Sequence, residues 1–360
     1  MKLPALDNDF CRWSKGLLLL GLCLPNAHAV ILYSTGDPSA NTTAPTGPLA
    51  NSGWQYENTF LSYTGYPISP DSFVVSKHIV GSYHQGSTGG TTFTYMGVTY
   101  DTVGRYDDPS GGDLTVLKIN PAAPAGAFPS FVPLYRKNDE TGQNFVVLGR
   151  GLERGAAVNI PADGTTAGSP NGTLRGWEWG GNSGVQRWGE NTVDAIGIAN
   201  SPGVHEEFLL ATFTPPAQGG LPNEATLAAG DSSGGVFIKD TADGIWKLAA
   251  LNTGVVASFS TTSGGAAVNM ALIDAGGLFV GPNQLQDTTG LDLFFNAAFQ
   301  STTLFDPNLK TPVVSLHTRI SSLTTWLDSV TVPESAPSPA LLGAALLVGA
   351  GWLVRRQRAA

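Results

Sequence analysis

The sequence predicts an all-β fold, and three observations carry that expectation. The 360 residues include 45 glycines and 24 prolines, and runs rich in Thr, Val, Phe and Tyr are broken by turn residues before any helical period builds up. The stretch "TTFTYMGVTYDTVGRYDD", residues 91–108, alternates aromatic or β-branched residues with polar ones, as a half-buried antiparallel strand pair does. In "VFIKDTADGIWKLAALNTGV", residues 236–255, Asp243-Gly244 separates two apolar runs, a hairpin signal.

Taken from the front, the chain carries Lys2, Arg12 and Lys15, then the apolar run "GLLLLGLCL", then the small-x-small site Ala27-His28-Ala29. That order of charge, short apolar core and small-residue site is expected of a secretory signal peptide over residues 1–29, with Val30 as the first mature residue. The far end, residues 332–360, runs from a Pro/Ser linker into the uncharged stretch 340–354, which is 15 residues long, and then Arg355, Arg356 and Arg358. A bilayer span takes roughly 20 apolar residues, so this apolar anchor helix is short, yet terminal arginines fit a cytoplasmic stop.

Between the two ends, residues 30–331 make one large or two modest cores. Removing three basic and two acidic residues at the front, and three basic and one acidic at the back, takes the net charge from −9 to −12. A chain so acidic is a poor partner for nucleic-acid phosphates. Both cysteines, Cys11 and Cys23, lie within residues 1–29, so the mature part has neither a disulfide nor thiolate ligands for a metal.

Several elements carry polar residues whose placement invites chemistry. In "SFVVSKHIVG", His78 ends an apolar strand-like run, where a base held by a strand but open to a cleft would sit; a structural role is the plainer alternative. In "SGGDLTVLKIN", Asp113 leads a buried strand, and a carboxylate there requires a donor to offset its desolvation, although the local pattern equally fits a loop cap. The string "LAAGDSSGGVF" holds Ser232 and Ser233 between glycines and reads either as a polar turn or as a nucleophile site. A metal site on His78 and His84 would lack further ligands, so no metal or other cofactor is expected. The segment "LRGWEWGGNSGVQRWGENTV", residues 174–193, is read as a surface loop packed by three tryptophans. Residues 315–330, where Ile320, Leu323, Leu327 and Val330 recur at helical spacing, are expected to form a closing helix.

The chain order His, Asp, Ser is that of the chymotrypsin-type triad, whereas unrelated folds build the same triad in other orders. Five segments resemble trypsin-like serine proteases of the chymotrypsin fold: "VVSKHI", "GGDLTVLKI", "FVVLGRG", "AGDSSGGVF" and "HTRISSLTTWLDSV", in the family's order across residues 73–330. The resemblance implies two antiparallel β-barrels with a C-terminal helix: residues 30–150 with His78 and Asp113, and residues 151–331 with the nucleophile. It implies a secreted or envelope-tethered endopeptidase in which His78 is the general base, Asp113 orients it and Ser232 attacks. Gly230 and Ser232 would supply the oxyanion N–H groups. Ser233 is the rival nucleophile, set behind Ser232 because only Ser232 has a glycine two residues before it.

The family's position six before the nucleophile is Thr226, and its substrate-binding strand matches Asn252, Thr253 and Gly254, so Thr226, Thr253 and Gly254 are expected to bind substrate. A neutral Thr226 favours a small or apolar side chain. By the same resemblance the α-amino group of Val30, once freed, would pair with Asp231. The tail resembles a PEP-CTERM sorting signal of Gram-negative bacteria, with Pro333-Glu334-Ser335 in place of Pro-Glu-Pro. That implies processing by an exosortase and attachment to the membrane. The alternative from another class is a non-catalytic matrix or adhesion protein on the same fold.

Overall fold

In a computed structural model the described residues are 30–56, 58–80, 91–160, 172–182, 184–255, 257–260, 268–276, 278–280, 303–304 and 312–331. The expected signal peptide, the Pro/Ser linker, the sorting signal with its apolar helix, and His84 all lie outside them. Among the described residues, no helix is long and apolar enough to cross a membrane.

The architecture is all-β with a C-terminal helix, as the composition predicts. Strand β1 is Ile31–Leu32; then come β2 (Asn58–Phe60), β3 (Tyr66–Ser69), β4 (Ser72–Ser76), the one-turn helix α1 (Lys77–Val80), β5 (Thr92–Tyr95), β6 (Val98–Asp107) and β7 (Leu114–Ile119). Strands β2 to β7 form one six-stranded antiparallel sheet in the order β2-β5-β6-β7-β4-β3. The alternating stretch 91–108 is the β5–β6 hairpin, turning at Met96-Gly97, where both residues take positive φ. This sheet encloses an aromatic core in which Phe73 stacks on Phe93 with ring centroids 4.0 Å apart, and Phe60, Tyr95, Tyr100 and Phe128 close around them.

The second half contributes β8 (Asn144–Gly149), β9 (Leu152–Ile160), β10 (Thr173–Asn182), β11 (Arg187–Thr192), β12 (Ala195–Ser201), β13 (Val204–Thr212), β14 (Ala225–Thr226), β15 (Gly235–Lys239) and β16 (Trp246–Val255). After these follow β17 (Ser258–Phe259), β18 (Val268–Leu272), β19 (Phe279–Val280), β20 (Thr303–Leu304), β21 (Val314–Arg319) and helix α2 (Thr324–Thr331). A seven-stranded sheet runs β11-β8-β15-β16-β21-β13-β12, and a four-stranded sheet runs β17-β18-β10-β9. The predicted hairpin around Asp243-Gly244 is β15–β16, with Gly244 in the left-handed region at φ +74°.

Two expectations are corrected. Residues 314–319 are a strand, and the helix begins only at Thr324. Helical spacing of Ile320, Leu323 and Leu327 is real, but β21 lies between β16 and β13, and that position buries consecutive residues from Ser315 to Arg319 on both faces. The tryptophans of 174–193 do not pack a loop: Trp177 and Trp179 belong to β10 and Trp188 to β11. Trp177 is buried with Ile31, Phe213 and Met270 in the core of the four-stranded sheet.

A third apolar cluster joins the two halves of the chain. Val74 and Val116 from the six-stranded sheet meet Val146, Leu148, Phe237 and Leu251 from the seven-stranded one, and Leu327 of α2 packs on the same cluster. Tyr66 reaches across this seam and accepts the Gly235 N–H at its hydroxyl, 2.8 Å away. The ends of β4 and β15 are thereby brought side by side, and both lead into candidate site residues.

Candidate active site

His78 stands one residue past the N-terminus of α1, directly after β4, and Asp113 stands directly before β7, the partner of β4. Because Ser76 pairs with Leu114, the two residues project from neighbouring strand ends on the same edge. Asp113 grips His78 twice: Oδ2 lies 2.6 Å from His78 Nδ1, and Oδ1 accepts the His78 backbone N–H at 2.7 Å. The Asp113 carbonyl also accepts the Lys77 N–H at 3.0 Å. A carboxylate facing Nδ1 holds the proton on that nitrogen and leaves Nε2 with a free lone pair. The imidazole is 41 % exposed and the carboxylate only 14 %, so the base is open to a ligand and its orienting acid is sheltered.

The serine turn is docked on the same strand end. Ser233 is fully buried, lies in the left-handed region at φ +63°, and accepts the Ser76 N–H on Oγ at 2.9 Å. Its own N–H goes to the Asn252 carbonyl and its carbonyl takes the Thr64 hydroxyl. Ser232, one residue earlier, is half-exposed, and no described residue hydrogen-bonds its hydroxyl. Of the two serines, then, one is consumed by the architecture and the other is presented.

Around Ser232 the turn is held by its flanks. Gly230 has φ +91°, and a Cβ there would sit 2.9 Å from the Gly151 Cα, so glycine is required on both counts. The N–H groups of Gly230 and Ser232 have no acceptor among the described residues. Asp231 points the other way, into the protein, where its carboxylate accepts N–H groups from Gly151 and Ala228 at 2.8 Å each and from Val30 at 3.2 Å. Burial pushes its carboxyl up to about 6 despite those three bonds. Asn252 ties the turn to the sheet: its amide donates to the Leu148 and Asp231 carbonyls, and its Oδ1 takes the His317 Nδ1–H at 2.9 Å.

The residues expected to bind substrate are placed less uniformly. Thr226 is buried at the end of β14, paired with Ile31, and its hydroxyl lies 3.0 Å from that of Ser315. Thr253 and Gly254 are half-exposed at a bulge in β16, and the Thr253 hydroxyl is 2.6 Å from that of Thr318. Spacing along the sequence does not reveal Ser76, Thr64 or Glu206, whose contacts hold the site; Glu206 accepts the Asp113 N–H at 3.0 Å. Nothing in the sequence of its strand distinguishes Glu206 from Glu207 beside it, so only its partner Asp113 marks it.

Comparison of the sequence with protein-family models and with curated proteins finds no match. An imidazole whose Nδ1 faces a carboxylate, an exposed serine hydroxyl and two unpaired N–H groups at one turn are the kinds of group that proton transfer from a serine and stabilisation of an acyl oxyanion require. Among the described residues no group of His, Cys, Asp and Glu could hold a metal ion.

Proposed function

We propose that the protein is a serine endopeptidase of the trypsin-like, chymotrypsin-fold class, exported and held at the cell envelope. The reading takes the six-stranded and seven-stranded sheets as the two barrels and their seam as the substrate groove. The observation that carries it is the double grip of Asp113 on His78 beside a serine turn anchored to Ser76.

In this reading Ser232 attacks a peptide carbonyl while His78 Nε2 takes its proton. Asp113 stabilises the imidazolium, and the N–H groups of Gly230 and Ser232 receive the oxyanion. His78 then gives the proton to the leaving amine, and water attacks the acyl-enzyme by the reverse route. Thr226 and Ser315 would offer neutral hydroxyls at the base of the first specificity pocket, with no charge to pair with Lys or Arg, so a small or apolar side chain is accepted there.

Export would also mature the site. As an internal residue Val30 is held at φ +35°, a strained value for a β-branched residue. Cleavage before Val30 removes that torsion's constraint and turns a neutral N–H donor to Asp231 into a positive one. The tail would direct membrane attachment and exosortase processing.

The test is hydrolysis of an unfolded protein substrate by the native chain, by Ser232→Ala and by His78→Ala. Cleavage in the native chain, reduced by at least about a thousandfold in both variants, fits the reading. A folded, mature native chain that cleaves nothing and takes up no fluorophosphonate would instead favour a matrix or adhesion protein.

A further inference from the structure

Glu206 lies on β13 and reaches the loop that precedes β7. Its Oε1 accepts the Asp113 backbone N–H at 3.0 Å and the Thr318 hydroxyl at 2.7 Å. Thr318 has one hydroxyl proton and gives it to Glu206, so the Thr253 hydroxyl, 2.6 Å away, is the donor to Thr318. Hydrogen bonds thus run from Thr253 on β16 through Thr318 to Glu206, where they meet the bond donated from the other side by the Asp113 N–H. The loop backbone rests directly on this carboxyl, because a Cβ at Gly112 would lie 3.3 Å from Glu206 Cγ.

We propose that Glu206 is a positioning residue for the His78–Asp113 pair, fixing Asp113 through its backbone N–H and linking that pair to Thr253 on the strand bordering the groove. The proposal rests on the serine-peptidase reading for its consequence in catalysis, but the linkage itself does not. The geometry is specific: one oxygen serves both donors, one from β21 and one from the loop that precedes β7.

The surroundings make the link responsive to charge. From the β6–β7 connection Glu206 faces Asp108 and Asp113; from β21 it meets the neutral Thr318, which in turn bonds the neutral Thr253 of β16. Arg319 of β21 turns instead to Glu140 and Glu207, while His205 is exposed and bonded to Asn200. Burial first, and then repulsion from Asp113 and Asp108, pushes the Glu206 carboxyl up to about 7. Below that point Glu206 is a neutral acceptor. Above it, the carboxylate holds the Asp113 N–H more firmly and adds negative charge beside the acid that stabilises the imidazolium.

The test uses the full chain and two independent readouts. The Asp113 amide proton, followed by NMR, is expected to show an inflection near pH 7 in the native chain, to lose it in Glu206→Gln, and to show it at higher pH in Thr318→Val, which removes one donor to the carboxylate. Fluorophosphonate labelling is expected to fall about tenfold in Glu206→Ala and to return to within about threefold of native in Glu206→Gln, whose amide oxygen can take both donors. An Asp113 amide with no inflection near pH 7, or one unchanged by Glu206→Gln or by Thr318→Val, overturns the proposal. So does a Glu206→Ala variant that labels like the native chain at every pH. A native chain that takes no label refutes the peptidase reading, and the amide titration still decides whether Glu206 is coupled to Asp113.

Discussion

The Ser233 hydroxyl accepts the Ser76 backbone N–H at 2.9 Å, which fastens the serine turn to the strand end that carries His78. Ser233→Ala leaves that buried N–H without a partner and is expected to destabilise the chain by about 1–3 kcal/mol. Ser233→Gly loses the same bond but relaxes the left-handed backbone, recovering about 1 kcal/mol of that loss. Urea unfolding orders the three chains, and both variants keep their reactivity toward fluorophosphonate. A Ser233→Gly chain less stable than Ser233→Ala contradicts the backbone argument.

Asn252 should be the costliest single polar truncation near the site. Its amide and carbonyl groups satisfy Leu148, Asp231 and His317, all in the interior. Asn252→Ala takes a donor from the Leu148 carbonyl and one of two from the Asp231 carbonyl, which keeps the Gly234 N–H, and strands the His317 N–H; a loss of about 3 kcal/mol is expected in urea unfolding. Loss under about 1 kcal/mol would show that the turn does not depend on this side chain.

The mature N-terminus gives a third expectation. A chain starting at Val30 pairs its ammonium with the buried Asp231, whereas one lacking Val30 leaves that carboxylate short of a donor. Labelling by the shortened chain should fall at least about tenfold, with the loss appearing in reactivity before folding is lost. Equal labelling by the two chains would remove Val30 from the account.

The pH dependence of stability follows from four buried groups; one is Asp231, which burial pushes up to about 6 from 3.8, so between those values its contribution to stability is lost as pH rises. Burial pushes Glu206 and Glu224 up to about 7 from 4.5, so between those values the folded chain binds more protons than the unfolded one, and stability falls as pH rises. Burial pushes His317 down to about 3 from 6.5, so over that window the unfolded chain binds the extra proton, and stability falls as pH drops. Where the windows overlap, three carboxyls outweigh one imidazole. On the acid side Asp107, against its partial burial, is held below the usual carboxylate range by Arg105 and Thr115, and Asp240 is held there by Lys137 and Lys247; both add to the loss. The urea midpoint should therefore peak near pH 4–4.5 and decline toward both 3 and 7. A midpoint that climbs steadily from pH 5 to 8 would show that these carboxyls are not protonated in the folded chain.

How much of this is legible in the sequence depends on whether the signal is local. His78 and Asp113 stand out because one ends an apolar run and the other leads one, whereas only the pairing of β4 with β7 shows that they stand on adjacent strands. The choice between Ser232 and Ser233 rests on where glycine falls, since a string of letters does not show that the second serine takes φ +63° and loses all its exposure. Residues 314–319 mislead because a central strand buried on both faces has no period of its own, so the helical spacing just beyond it extends backward. Glu206 is silent: its role is set by Asp113, 93 positions away, and Thr318, 112 away, neither of which marks the sequence around it.

The central claim is that Ser232 is the group His78 activates. Peptide mapping of the fluorophosphonate adduct tests it most directly, in the native chain and in His78→Ala. The account predicts one adduct, on Ser232, formed at least about a thousandfold more slowly without the imidazole. An adduct on Ser233, or one on Ser232 that forms as fast in His78→Ala, would contradict it.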